Sequence, residues 1–223
     1  VFMTDQACGA LPNLFIVADG MGGQNAGDYA SAKTVEVVLE EIRRASNLSQ
    51  PVGIFEQAIQ KANSIIFEEA THDISKNGMG TTLVMATVIG NHLFVANVGD
   101  SRLYVAGKTK LTQITRDHSV VAELIRNGEL LPQDAKSDKR KNMITRAVGA
   151  EKKIVADYFD VTLKGYERVL LCSDGLTNMV EDKDILSILK STDTIENKAT
   201  RLVEFANNNG GKDNVSAIVI EPF

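Results

Sequence analysis

Between Thr82 and Ile114 the chain adopts the short repeat of β-structure, and this stretch constrains the fold more than any other. Thr82–Ile89, Leu93–Val98, Leu103–Ala106 and Leu111–Ile114 read as consecutive strands, with Gly90-Asn91 and Gly107-Lys108 as hairpin turns. No residue from Asn77 to Gly99 carries a formal charge. That length invites a membrane-helix reading, but Gly90-Asn91-His92 breaks it into two short buried strands joined by a turn.

Around this block the period is helical. Ala32, Val35, Leu39 and Ile42 mark one helix over Asp28–Arg44, and Phe55, Ala58, Ile59, Ala62, Ile65 and Ile66 mark a second over Ile54–Ala70. Ser119–Asn127 reads as a short helix with Gly128 as its C-terminal cap. Tyr158–Leu163, Arg168–Cys172 and Val215–Ile220 are strands, and Asp182–Lys190 and Ile195–Asn209 are helices. Leu14–Ala18 is a further buried strand. Helices in pairs and strands in runs give an α+β chain with mostly antiparallel sheet. The polar stretch from Glu129 to Asn142, with Lys136, Lys139, Arg140 and Lys141, reads as a solvated loop or flap.

The composition narrows the function classes. The 24 Lys and Arg against 29 Asp and Glu give a net charge of −5, which argues against a general nucleic-acid binder. The two cysteines, Cys8 and Cys172, make no CxxC pair, so a disulfide scaffold and a cysteine-zinc site are disfavoured and a reducing compartment is the simpler reading. The N-terminus lacks the basic and apolar regions of a signal peptide.

Four aspartates share one setting. Asp19, Asp100 and Asp174 each follow an apolar strand where it gives way to Gly or Ser, and Asp213 precedes the last strand. Each Asp-Gly alone is an ordinary turn pair. Strand ends converge when sheets pack, so all four together point to one oxygen-only site. Gathered carboxylates repel unless a cation neutralises them, and such donors suit hard ions such as Mg²⁺ or Mn²⁺. Gly20 is free to turn its carbonyl toward an ion. Asn77-Gly78-Met79-Gly80-Thr81-Thr82 reads equally as a tight turn and as a site-lining approach to a strand.

Five segments occur in order: Phe15-Ile16-Val17-Ala18-Asp19-Gly20-Met21-Gly22-Gly23, Gly78-Met79-Gly80-Thr81-Thr82, Val98-Gly99-Asp100-Ser101-Arg102, Ser173-Asp174-Gly175-Leu176 and Asp213-Asn214-Val215-Ser216. Together they resemble the successive motifs of the metal-dependent protein phosphatases (the PPM, or type 2C, serine/threonine family) in their bacterial form. The resemblance spans nearly the whole chain. It implies two antiparallel sheets packed face to face with helix pairs outside, an α-β-β-α sandwich, as a single catalytic domain over residues 1–223.

The resemblance also implies the chemistry. Asp19 would bridge two Mn²⁺ or Mg²⁺ ions, the Gly20 carbonyl would bind one, Asp174 and Asp213 would complete the other, and Asp100 would help hold a third. A metal-bridging hydroxide would attack phosphoserine or phosphothreonine with no covalent phosphoenzyme, and Cys172 reads as core. The family's flap corresponds to residues 128–145, whose basic cluster would attract a phosphorylated peptide. Arg146, Lys139 and Arg140 are the candidates for substrate contact, with Arg102 a further one, and His118 is assigned a structural role at a helix start.

Two departures accompany the match. The family's N-terminal Arg and acid have no counterpart before Asp19, where Asp5 is the lone acid, so the chain is expected to lack the start of the domain. Gln24 and Met21 stand where relatives carry His, which leaves protonation of the leaving group to water. The expectation is a cytoplasmic, monomeric phosphatase of phosphoproteins made by a bacterial Ser/Thr kinase. The rivals are a pseudophosphatase serving as a binding module, and a phosphatase for small molecules or for one dedicated regulatory protein.

Overall fold

The computed structural model describes residues 1–22, 26–47 and 50–223, without the side chain of Lys136. Gly23, Gln24 and Asn25 of the first glycine motif lie outside the described residues.

Two antiparallel sheets carry the fold. The first has five strands in the order β1 (Phe2–Thr4), β2 (Leu14–Val17), β5 (Leu83–Ile89), β6 (His92–Val98) and β9 (Asp157–Thr162). The second has four, in the order β11 (Ala217–Ile220), β10 (Arg168–Cys172), β7 (Arg102–Ala106) and β8 (Leu111–Gln113). A two-residue ladder joins β3 (Gly20–Met21) to β4 (Gly80–Thr81). Helices α1 (Ala26–Arg44) and α2 (Pro51–His72) pack outside the first sheet; α5 (Asp182–Lys190) and α6 (Ile195–Asn208) pack outside the second. The short helices α3 (Val120–Arg126) and α4 (Asp174–Thr177) complete the set. This is the α-β-β-α sandwich expected.

Both sheets are covered on both faces, so their strands are apolar at successive positions rather than at alternate ones. In β5, Leu83 and Met85 face the α1–α2 layer while Val84 and Ala86 face the other sheet. In β10, Leu171 faces the first sheet while Leu170 and Cys172 face α5 and α6. This double burial explains the uncharged stretch from Asn77 to Gly99. It is a turn, a short strand and then the β5–β6 hairpin, with Gly90 at φ +59° in the turn. Among the described residues no helix is long and apolar enough to cross a membrane.

The register brings the strand ends that matter together. Val17 of β2 pairs with Val84, and Val98 of β6 pairs with Leu83, so both strands end beside the start of β5. The chain then crosses from the first sheet to the second through Gly99-Asp100-Ser101. In the second sheet Cys172 pairs with Arg102 and with Ala217, so β10 ends where β7 and β11 begin. Asp5 sits far from this end, beside Val88 and Gly90.

Two expectations are corrected, and some short elements were not anticipated. The last strand begins at Ala217 rather than Val215, because the Ser216 N–H bonds the Ser173 hydroxyl (3.1 Å) instead of extending the ladder. The segment after Gly128 is not loop throughout: Leu131-Pro132 starts a 3₁₀ turn over Pro132–Ser137. The Phe2–Thr4 strand and the Asp174–Thr177 helix were not anticipated, being too short to show a period.

Candidate active site

Asp19, Gly20, Asp100, Asp174 and Asp213 line one open cavity of about 190 Å³, together with Met21, Thr82, Asn142 and Ile144. Local chemistry fixes each of the five. The Asp19 N–H donates to Thr82 Oγ1 (3.0 Å), and its carbonyl accepts from the Thr82 N–H (2.8 Å) and Thr81 Oγ1 (3.0 Å). Backbone and hydroxyls 62 and 63 residues away thus set where its carboxyl emerges. Gly20 meets the start of α1 so closely that a Cβ on it would lie 1.9 Å from the Gly27 carbonyl oxygen.

Asp100 is presented by the sheet-to-sheet crossover. Gly99 takes φ +99° there, and a Cβ would sit 2.7 Å from Thr82 Cγ2, so only glycine fits. Asp174 opens α4. Its neighbour Gly175 lies so near the chain after Asp213 that a Cβ would fall 2.2 Å from the Asn214 carbonyl oxygen. Ser173 completes this weld: its N–H donates to the Ser216 carbonyl (3.1 Å) and its hydroxyl to that of Asn214 (3.3 Å). Asn178 Nδ2 donates to Asp174 Oδ2 at 3.0 Å, and the Asn214 N–H donates to Asp213 Oδ1 at 2.8 Å.

The electrostatics are those of a crowded anionic site. Burial first, then the charges of Asp174 and Asp213, push the Asp19 carboxyl up to about 6. Burial, then Asp174 and Asp117, push Asp100 up to about 7. Asp174 is raised by burial and by Asp213. Each shift says that the charged form lacks a counter-charge in the cavity. Among the described residues no three His, Cys, Asp or Glu side chains approach closely enough to hold one ion between them. The carboxylates stand apart around one cavity. Four carboxylates and one carbonyl are nonetheless an all-oxygen donor set that a hard divalent cation suits, and a cation would reverse the penalty on the charged forms.

The other candidates fall elsewhere. Arg146 pairs with Asp157 (3.2 Å) and lines an adjoining cavity of about 260 Å³ that shares Met21 and Ile144 with the first. Arg140 folds back onto the carboxylate of Asp138 (2.9 and 3.0 Å), and neither it nor Lys139 lines the carboxylate cavity. Arg102 makes a fork with Asp117 (2.6 and 3.0 Å) and donates to Tyr104 Oη (3.0 Å). His118 is buried just before the N-cap Ser119, as its structural assignment requires. Cys172 is buried, and burial pushes its thiol up to about 12, which removes it as a nucleophile.

Asn142 and Ile144 were not foreseen, and Thr82 was foreseen only as one of two readings of its segment. Thr82 belongs to the glycine-containing approach, which proves to be both a turn and part of the wall. Asn142 and Ile144 reach the cavity because the return of the flap is tied to the start of α3: the Val120 N–H bonds the Met143 carbonyl and the Thr145 N–H bonds that of His118, both at 2.8 Å.

The family model for protein phosphatase 2C matches residues 6–217. The chain belongs to this family. It is 42% identical over 211 residues to the serine/threonine phosphatase stp of Listeria monocytogenes, covering 93% of this chain and 84% of that protein. It is 35% identical to protein phosphatase PhpP of Streptococcus pneumoniae, with 93% and 85% covered. Among solved structures, serine/threonine phosphatase Stp1 from Staphylococcus aureus superposes with TM-score 0.89 at 35% identity, over 93% of this chain and 82% of that one. The catalytic domain of PstP, solved with two manganese ions, gives TM-score 0.82 at 32% identity, over 92% and 86%.

Proposed function

We propose that this chain is a Mn²⁺- or Mg²⁺-dependent protein serine/threonine phosphatase, acting in the cytoplasm as a monomeric, single-domain enzyme on phosphoproteins made by a bacterial Ser/Thr kinase. The observation that carries the reading is the meeting of Asp19, Gly20, Asp100, Asp174 and Asp213 around one cavity from four separate strand ends. Asp19, the Gly20 carbonyl, Asp174 and Asp213 would hold two ions, and Asp100 with Asp174 a third. Bound there, the ions would supply an activated water and neutralise the phosphoryl oxygens.

The chain's own residues set up that chemistry. Thr81 and Thr82 hold the Asp19 backbone, so its carboxyl enters the cavity at a fixed angle. Asn178 donates to Asp174 Oδ2 and so helps hold the carboxyl at the cavity wall. The flap residues Asn142 and Ile144 line one side of the cavity. Arg146, Lys139 and Arg140 would meet the phosphoprotein outside the carboxylate cavity. With the carboxylates of the wall given to metal and Thr82 Oγ1 engaged by the Asp19 N–H and Ser101 Oγ, hydrolysis is direct and the leaving alkoxide takes its proton from water. The pseudophosphatase alternative draws no support from the relatives, which are named phosphatases.

Release of phosphate from a phosphothreonine peptide tests this. Turnover should need Mn²⁺ or Mg²⁺, stop on chelation and fall by orders of magnitude in Asp174→Asn. Equal turnover by both proteins, or turnover that survives chelation, would overturn the metal assignment.

A further inference from the structure

A second cavity, of about 290 Å³, backs onto the first, and its lining includes Arg102, Asp117, Lys141, Thr177, Asn178 and Lys212. Several chain segments serve both cavities. Asn142 faces the carboxylates while Lys141 faces the second cavity; Asp213 and Lys212 divide in the same way; Asp174 opens the helix whose Thr177, with the following Asn178, lines the second cavity. The two spaces therefore share a wall, and the Asn178-to-Asp174 hydrogen bond of 3.0 Å crosses it. Because neighbouring residues of one chain segment face the two cavities, and an extended peptide advances about 3.3–3.6 Å per residue, a residue close in sequence to the one being hydrolysed can reach the second space.

The charge of the second cavity is opposite to that of the first. Its carboxylate, Asp117, is taken by the Arg102 fork and by Gln113 Nε2 at 2.7 Å. Lys141 and Lys212 are exposed, and among the described residues no hydrogen bond or ion pair engages their ammonium groups. Two uncommitted cations therefore flank a space large enough for a phosphoryl group, one wall away from the carboxylate cavity.

We infer that this cavity is a second anion subsite. It takes a phosphorylated side chain lying one or two residues from the one being hydrolysed, so that clustered phosphorylation is the preferred substrate. The inference rests on the phosphatase reading above and adds the class of substrate.

The test compares kcat/KM for the Mn²⁺-loaded protein on matched peptides. One carries a single phosphothreonine. The others add a non-hydrolysable phosphonate, or a glutamate, one or two residues to either side. The phosphonate should raise kcat/KM, through KM, by about fivefold or more at one of these spacings, the factor that two exposed ion pairs supply. Glutamate should give much less. Lys141→Gln with Lys212→Gln should abolish the phosphonate preference, and each single variant should reduce it. Equal kcat/KM for all peptides, an equal gain from glutamate, or a preference that persists in the double variant would overturn the subsite. Absence of hydrolysis on every peptide would instead overturn the phosphatase reading, and the subsite with it.

Discussion

Gly99 and His118 bind each other in both directions. The His118 N–H donates to the Gly99 carbonyl at 3.0 Å, and the Gly99 N–H donates to His118 Nδ1 at 3.1 Å. Accepting at Nδ1 places the ring proton on Nε2, which lies 3.4 Å from Asp157 Oδ2 and 3.2 Å from Arg146 Nη1. Burial and the nearby Arg146 lower the pKa of His118, which keeps the ring neutral and able to accept. Asp100 follows directly in sequence, so this pairing governs where its carboxyl sits.

Replacing the ring should therefore be felt at Asp100. His118→Ala leaves a buried N–H without an acceptor, a cost of about 1–3 kcal/mol. It should lower Tm and raise the Mn²⁺ concentration needed for half-maximal phosphate release. An unchanged Mn²⁺ requirement would detach His118 from the site.

The carboxylate cavity should cost the metal-free protein stability. Asp19 and Asp100 have folded pKa values raised to about 6 and about 7, above the ordinary value of 3.8. Below that ordinary value both states are protonated and nothing is lost; as pH rises toward 7 the unfolded chain releases protons that the folded chain retains, and stability falls. In chelator, Asp100→Asn should raise Tm at pH 8 and leave it unchanged near pH 3.5. Each ~1 kcal/mol of relief corresponds to about 2–4 °C in a chain of this size. A variant less stable than the parent at pH 8 would contradict the electrostatics.

Glycines at the cavity are steric requirements. Gly175→Ala drives a Cβ to 2.2 Å from the Asn214 carbonyl oxygen, and backbone, not a yielding side chain, stands in the way. Overpacking of this kind costs about 1–3 kcal/mol or more. The variant should lose phosphate release out of proportion to its drop in Tm, because Asp174 and Asp213 are pushed apart.

Much of this was readable in advance, and the limits have physical causes. Strands β5 to β8 were visible because long apolar runs meet clear turns, and Asp19, Asp100 and Asp174 because each interrupts such a run. The β3–β4 ladder and α4 were not visible, since two- and four-residue elements hold scarcely one repeat of their period. The contact of Thr82 with Asp19 spans 63 residues, and sheet packing rather than local pattern decides it. The basic residues of the flap looked equivalent in sequence; fold and pairing separate Arg140, tied to Asp138, from Lys141, which faces a cavity.

At the far edge of the second sheet, α6 is held by a charge network. Lys198, 2% exposed, donates to Glu221 Oε1 at 2.7 Å, and Arg168 Nε donates to the same oxygen at 2.9 Å. The hydrogen bond from Lys198 holds the Glu221 carboxyl below its usual range. Its contribution is therefore present above the ordinary glutamate value and is lost as pH falls through the lowered one. Glu221→Gln should cost about 1–3 kcal/mol at pH 7 by leaving Lys198 unpaired, with the difference shrinking in acid. A constant difference from pH 7 to pH 3 would contradict this.

Anomalous scattering from a manganese-soaked crystal measures the central point most directly. Peaks should stand between Asp19, the Gly20 carbonyl, Asp174 and Asp213, with the carboxylates drawn inward, and Asp174→Asn should lose at least one peak. A fully soaked crystal with no anomalous density in the cavity and its aspartates still apart would contradict it.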